Sequence, residues 1–186
     1  AGHDPKDATS LTESVTIDAS IWNKTDLKWV KIGIPKEYFI DGIDLGVKRE
    51  IEAAIDKLRE LWAEIKEVSL PHTSYGISVY YVICPAEVAS NLARYDGIRY
   101  GALAESGYNI SANREAWLGM EVKRRSMVGS FVLSSGFYDA YYKKASAVRD
   151  LIRQDFEKAY EEVDVIVTPT APTVAWKIGE KIGRAH

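Results

Sequence analysis

The spacing of apolar residues along the chain changes several times, and each change marks an element. Residues 1–27 are polar, rich in Asp, Thr and Ser, with Trp22 as the one large anchor. They read as a connecting segment laid over a surface. At 29–34 the alternation WVKIGI ends at Pro35 and predicts a strand, with 36–39 as a turn leading away. Asp44 is a suitable N-cap for a helix whose Val47, Ile51, Ile55, Leu58 and Trp62 recur at spacings of three and four. Ile65, Val68 and Leu70 mark a second strand closed by Pro71. Strand, amphipathic helix and strand make a βαβ unit, so the expected fold class is α/β.

The second half is mostly helical in pattern. Residues 75–95 predict helix on both sides of a break, because Pro85 lacks an N–H and must end or kink the element. Residues 102–119, with Gly107, Asn109 and Gly119, read as loop. Helices are expected at 120–134 and 138–162, the latter with an apolar stripe of Tyr138, Tyr141, Ala145, Val148, Ile152, Phe156 and Ala159. DVIVTP at 164–169 reads as a short buried strand. There is no internal repeat or low-complexity tract.

Composition adds bounds. A chain of 186 residues, 46% hydrophobic and 27% charged, is enough for one globular domain with a real core. No apolar run approaches the roughly 18–20 residues that span a bilayer, so no membrane partner is expected. The opening AGHDPKDATS has neither the basic head nor the apolar stretch of a signal peptide. A lone cysteine, Cys84, leaves no internal disulfide and fits a reducing, cytoplasmic compartment. The net charge is −3 and the basic clusters at 123–125 and 143–144 are short. If nucleic acid is involved, another chain is expected to grip it.

Candidate chemistry is sparse. His3, His72 and His186 have no partners at metal-ligand spacing, so no metal site is expected. Cys84 lies in an apolar helical stretch and reads as a buried, inert thiol. Ser134-Ser135-Gly136 resembles part of a glycine-rich nucleophile loop. It holds one glycine, however, and its flanks are Val132-Leu133 and Phe137-Tyr138, so a helix junction explains it better. In the helix at 120–134, Lys123, Ser126, Ser130 and Ser134 form a narrow polar stripe, and apolar residues cover most of the rest. So wide an apolar arc predicts a largely buried helix. Arg124 and Arg125 project into that arc, and each therefore needs a carboxylate partner or a cleft. Structural ion pairs are the commoner fate, while a planar fork reserved for a ligand carboxylate would suit an amino-acid substrate. The many tyrosines, Tyr80, Tyr81, Tyr95 and Tyr100 among them, are expected in core or interface positions.

Five motifs occur together and in order: AGHDPKD at 1–7, NLARYDGIRYG at 91–101, EVKRR at 121–125, LSSGFYDAYYKK at 133–144 and DVIVTPTAP at 164–172. On these the chain resembles the amidase signature family, in its branch of aspartyl/glutamyl-tRNA amidotransferase A subunits, from residue 1 to about 181. NLARYDGIRYG is the motif that most separates that branch from general amidases. The resemblance implies an α/β/α sandwich around a mixed sheet, with 1–186 an incomplete single domain (1–27 connecting, 28–181 the α/β part). It implies glutamine hydrolysis by a Ser-Ser-Lys arrangement, the ammonia passing to a B subunit that amidates Glu-tRNA(Gln) or Asp-tRNA(Asn). That B subunit is expected to hold ATP and magnesium, with none in this chain, and B and C subunits are the expected partners, tRNA being met through B.

In such subunits the catalytic lysine and serines precede the GHDPKD motif, so no catalytic residue is expected within 1–186 and this chain alone is expected to be inactive. The resemblance assigns the glutamine α-carboxylate to Arg125 and a substrate contact to Tyr80. An acidic residue reading the substrate amine is expected beyond His186. The loop at 102–119 looks shorter than the family's, and 182–186 depart from it. Two other functions stay open: part of a different amidase-signature amidohydrolase, or a non-catalytic module that docks on a partner subunit.

Overall fold

The computed structural model describes residues 2–13, 26–101, 105 and 107–179. Strand β1 (Lys31–Pro35) leads through a 3₁₀ turn at Lys36–Tyr38 to helix α1 (Leu45–Glu60), and the chain returns as β2 (Glu64–Val68). The two strands are parallel, with Ile32 opposite Ile65 and Pro35 opposite Val68. The predicted βαβ unit is therefore present. Asp44 starts α1 as expected: its Oδ1 accepts from the Gly46 and Val47 N–H groups at 2.8 and 3.2 Å, satisfying two donors that the first turn leaves unpaired.

Two tryptophans depart from the expected pattern. Trp29 lies before the strand and Trp62 after the helix, at φ +73° and +72°. Both project outward, 91% and 69% exposed. The chain turns sharply at each, so neither continues the periodicity of its neighbour; Ala63 is buried where Trp62 was expected. Trp22 lies outside the described residues.

A 3₁₀ turn at Pro71–Tyr75 precedes helix α2 (Gly76–Leu92). Leu70, expected inside the second strand, sits just past it and is fully buried. The helix does not end at Pro85; it continues through it, with Pro85, Ile83 and Ala86 buried. Proline removes one hydrogen bond to the carbonyl four residues back, and here packing against neighbouring helices outweighs that loss.

The stretch read as loop contains a helix, α3 (Ile110–Trp117). Asn109 is its N-cap and accepts from the Ala112 N–H at 3.1 Å; what suggested a loop was a cap. Helix α4 (Met120–Val132) follows, then a turn in which the Ser134 hydroxyl donates to the Phe131 carbonyl at 2.7 Å. A single π-helical turn at Asp139–Lys143 delays the last helix, α5 (Lys144–Glu162), by comparison with the expected start at 138.

Strand β3 (Val165–Ile166) adds to the free side of β1, in parallel, giving a three-stranded order β2–β1–β3. It is shorter and more open than predicted: Val165 is exposed and Ile166 half-buried. The Asp164 carboxylate accepts from the Lys31 N–H at 2.8 Å and fixes the start of that pairing. The core joins sheet to α5 through Val68, Leu70, Ala159 and Val163, with Tyr38, Phe156 and Ile166 packed on it. Burial of Val68, Leu70 and Val163 contributes about 1.5–3 kcal/mol each.

One polar contact reinforces this joint. Asp155 on α5, 6% exposed, accepts from the His72 N–H at 2.8 Å and meets the His72 ring Nδ1 at 3.0 Å. Burial opposes its ionisation, but the His72 backbone N–H and ring outweigh that and hold the carboxyl below its ordinary range. Asp155 thereby clamps the turn from which α2 begins. Among the described residues no helix is long and apolar enough to cross a membrane.

Candidate glutamine-binding site

The two residues assigned to substrate meet where α2 crosses α4. Arg125 Nη1 donates to the Tyr80 hydroxyl at 2.7 Å, and the guanidinium carbon stands 5.7 Å from the Tyr80 ring centroid. The Arg125 Nε donates to Glu121 Oε1 at 3.1 Å, one turn back on α4. The Tyr80 hydroxyl and then the Glu121 carboxylate raise the Arg125 pKa above its already high value, so the side chain is a fixed cation.

Guanidinium carries five N–H donors in a planar fork. Nε and Nη1 are engaged, and among the described residues Nη2 has no hydrogen-bond partner. Nη2 is thus left to donate to an anion, while a bidentate grip on a carboxylate would also draw on Nη1, which here faces the Tyr80 hydroxyl and Cys84 Sγ.

Arg125 opens on a groove of about 360 Å³ between α2 and α4 that is also lined by Cys84, Glu87, Val88, Asn91 and Val122. Its walls are apolar, with an amide, a carboxylate and the guanidinium as the polar groups. A larger cavity of about 690 Å³ lies between α2 and α5, lined by Val79, Val82, Val148 and Leu151 with His72 and Lys144. It does not contain Arg125 and offers no planar fork; Tyr80 lines neither cavity and reaches the smaller one only through its bond to Arg125. The smaller groove has the better chemistry for an amino acid.

Several expectations change at this site. Arg124 does not lie in a buried arc; its side chain is 65% exposed and pairs with Glu121 Oε2 at 2.7 Å. Helix α4 is not largely buried either: only Gly129 and Val132 are, while Met120, Met127, Val128 and Phe131 are exposed. Phe131 keeps ring contacts with Phe137, centroids 4.1 Å apart, and with Tyr141 at 6.0 Å, but these leave it half exposed. Cys84 is half-buried, not buried, and its Sγ lies 3.9 Å from Arg125 Nη1, which makes it part of the groove wall.

Two features were missed. Glu121, the carboxylate shared by both arginines, stands three and four residues before them, the spacing at which helical side chains meet. Tyr80, Cys84, Glu87 and Asn91 form one helical stripe on α2. A break placed at Pro85 conceals that stripe, since it joins residues on either side. Asp4 spends its carboxylate on the Lys6 N–H at 2.9 Å. His186 lies outside the described residues.

The family follows from comparison with known proteins. The profile of the Amidase family matches residues 1–185. The chain belongs to the amidase family. The A subunit of the glutamyl-tRNA(Gln) amidotransferase of Carboxydothermus hydrogenoformans is 54% identical to it over 185 residues, covering 97% of this chain and 38% of that protein. Its counterpart of the same name from Geobacter sulfurreducens is 52% identical over 98% of this chain and 38% of that protein. The crystal structure of the glutamyl-tRNA(Gln) amidotransferase A subunit from Thermotoga maritima matches with a TM-score of 0.66 and 34% identity, over 98% of this chain and 35% of that one. A crystal structure of an amidase, 21% identical with a TM-score of 0.62, shares the fold. This amidase-family chain therefore spans about 38% of the length of the curated relatives it matches. The resemblance carried by its motifs holds for family and for the mixed α/β class.

Proposed function

We propose that this chain is part of the A subunit of a tRNA-dependent amidotransferase, the component that hydrolyses glutamine and releases ammonia for converting Glu-tRNA(Gln) or Asp-tRNA(Asn) to the amidated form. The observation that carries the reading is the Arg125 fork, held by Tyr80 and Glu121 over the groove between α2 and α4. The 54% identity to the A subunit of a Glu-tRNA(Gln) amidotransferase supports it.

In this reading the Arg125 guanidinium binds the α-carboxylate of glutamine, Nη2 donating to it while Nη1 stays with Tyr80. The Tyr80 hydroxyl, already accepting from Arg125, turns its own O–H toward the bound amino acid. Together they fix one end of the substrate so that its side-chain amide is presented at a set distance, which is how positioning lowers a barrier. The nucleophilic serine, the bridging serine and the lysine base are assigned to the part of the protein that precedes the GHDPKD motif.

Among the described residues no group of three or more His, Cys, Asp or Glu side chains is placed to hold a metal ion. We assign ATP and magnesium to the partner B subunit. B and C subunits are the proposed partners, with tRNA reached through B.

The test is glutamine-dependent ammonia release by the full-length protein in its complex. Arg125→Ala is expected to raise the glutamine concentration needed for half-maximal rate far more than it lowers the maximal rate. A folded variant with unchanged kinetics removes Arg125 from the site.

A further inference from the structure

We propose that Gly129 is a positioning residue: the absence of a side chain there sets the spacing of α2 and α4 at which Tyr80 and Arg125 meet. Gly129 lies one helical turn beyond Arg125 on α4 and is buried. A Cβ added to it would stand 1.9 Å from the Pro85 carbonyl oxygen, 2.5 Å from the Pro85 carbonyl carbon and 2.8 Å from the Ala89 Cβ. The first two are backbone atoms and the third is bonded directly to backbone, so no side-chain rotation relieves the overlap. Non-bonded carbon atoms settle at about 3.5–4.0 Å. Even alanine at 129 therefore forces the helices apart by roughly an ångström.

That displacement acts selectively. The Arg125–Glu121 pair lies within α4 and moves with it. The Arg125–Tyr80 bond spans the crossing at 2.7 Å, and a contact stretched to about 3.6 Å is no longer a hydrogen bond. A Cβ at 129 thus leaves the guanidinium charged and paired with Glu121 but separates it from the Tyr80 hydroxyl. Gly136, just past α4, provides a contrast, since a Cβ there meets nothing within 4 Å. The spacing role stands on geometry alone; its kinetic consequence rests on the glutamine-site reading above.

The experiment pairs a crystal structure with glutamine kinetics, using the full-length protein in its complex. In Gly129→Ala the Tyr80 Oη to Arg125 Nη1 separation is expected to exceed the hydrogen-bond limit of about 3.5 Å. The glutamine KM is expected to rise about fivefold, with kcat within about twofold, the size of one lost hydrogen bond. Adding Tyr80→Phe to that variant should raise KM by less than the same change does in the parent, a non-additivity that a general loss of stability does not produce. Gly136→Ala should leave separation and KM at their starting values. A Gly129→Ala structure that keeps the 2.7 Å bond, or effects of Gly129→Ala and Tyr80→Phe that simply add, overturns the proposal. If Gly129→Ala does not fold, Ala89→Val enlarges the same crossing from α2, and an unchanged bond in it is equally decisive against. If the separation lengthens in Gly129→Ala while Arg125→Ala leaves KM unchanged, the spacing role is upheld and the glutamine assignment falls.

Discussion

Tyr80 and Arg125, one on α2 and the other on α4, are joined by a 2.7 Å hydrogen bond in which the guanidinium donates and the phenol accepts. The bond leaves the phenolic proton free to point elsewhere and holds the cation at the rim of a groove.

From this follows a graded substitution series. Tyr80→Phe keeps the ring beside the guanidinium and removes only the hydroxyl, so the glutamine KM is expected to rise about two- to tenfold, the range of a net hydrogen bond. Arg125→Lys keeps the charge but loses the planar fork, and a single ammonium cannot grip both carboxylate oxygens. Its KM is expected to rise about tenfold or more, with kcat less affected. Glutamine titrations of ammonia release read both. Lysine performing as well as arginine would show that charge, not the fork, is what the site uses.

What could be read from the sequence, and what could not, divides along physical lines. The βαβ unit was legible because Asp44 caps its own helix and Ile32, Ile55, Ile65 and Val68 obey local periodicities. Arg125 was legible as a cation needing a partner, since burial and charge conflict wherever they coincide. The partner, Glu121, was equally visible at helical spacing in EVKRR. The errors arose where distant contacts override local preference. Pro85 is a helix breaker by propensity, yet α2 runs through it because its neighbours pack on it. Asn109 and Gly107 looked like loop, yet the asparagine starts α3. The apolar arc of α4 predicted burial, yet Met127 and Phe131 are exposed, because periodicity identifies a face without identifying what covers it.

The His72–Asp155 contact carries a pH-dependent prediction. Two groups of His72 bond the Asp155 carboxylate, and they hold its pKa in the folded protein below the ordinary value of about 3.9. A lowered folded-state pKa means that the unfolded chain takes up the proton first. The stabilisation is therefore complete above the ordinary carboxylate range and is lost as pH falls through the lowered pKa. Asp155→Asn keeps one acceptor but removes the charge, and is expected to cost about 1–3 kcal/mol at pH 7. Urea denaturation of the full-length protein at neutral pH and near pH 3 checks this: the gap between variant and parent should narrow in acid. A gap independent of pH would show that the charge contributes nothing.

Asn113 offers the complementary case, a buried group whose value lies in being neutral. It is fully buried on α3, and its Nδ2 donates to the Gly107 carbonyl at 2.8 Å and the Gly97 carbonyl at 3.3 Å. It thus fastens the NLARYDGIRYG segment, which leads out of α2, to the helix that precedes α4. Asn113→Asp is nearly isosteric but replaces the donor with a carboxylate facing two carbonyl oxygens. Leaving both acceptors unpaired beside a buried anion is expected to cost about 3 kcal/mol or more at neutral pH. Burial and the carbonyls favour the protonated form, so the introduced carboxyl has a raised pKa in the folded state. Its protonated form can donate to one carbonyl. Part of the stability should therefore return as pH falls below that raised pKa, the direction in which the Asp155 contribution is lost. Denaturation of the Asn113→Asp protein at pH 8 and pH 5 distinguishes the two behaviours. A variant as stable as its parent at pH 8 would mean that the amide donor does not hold this segment in place.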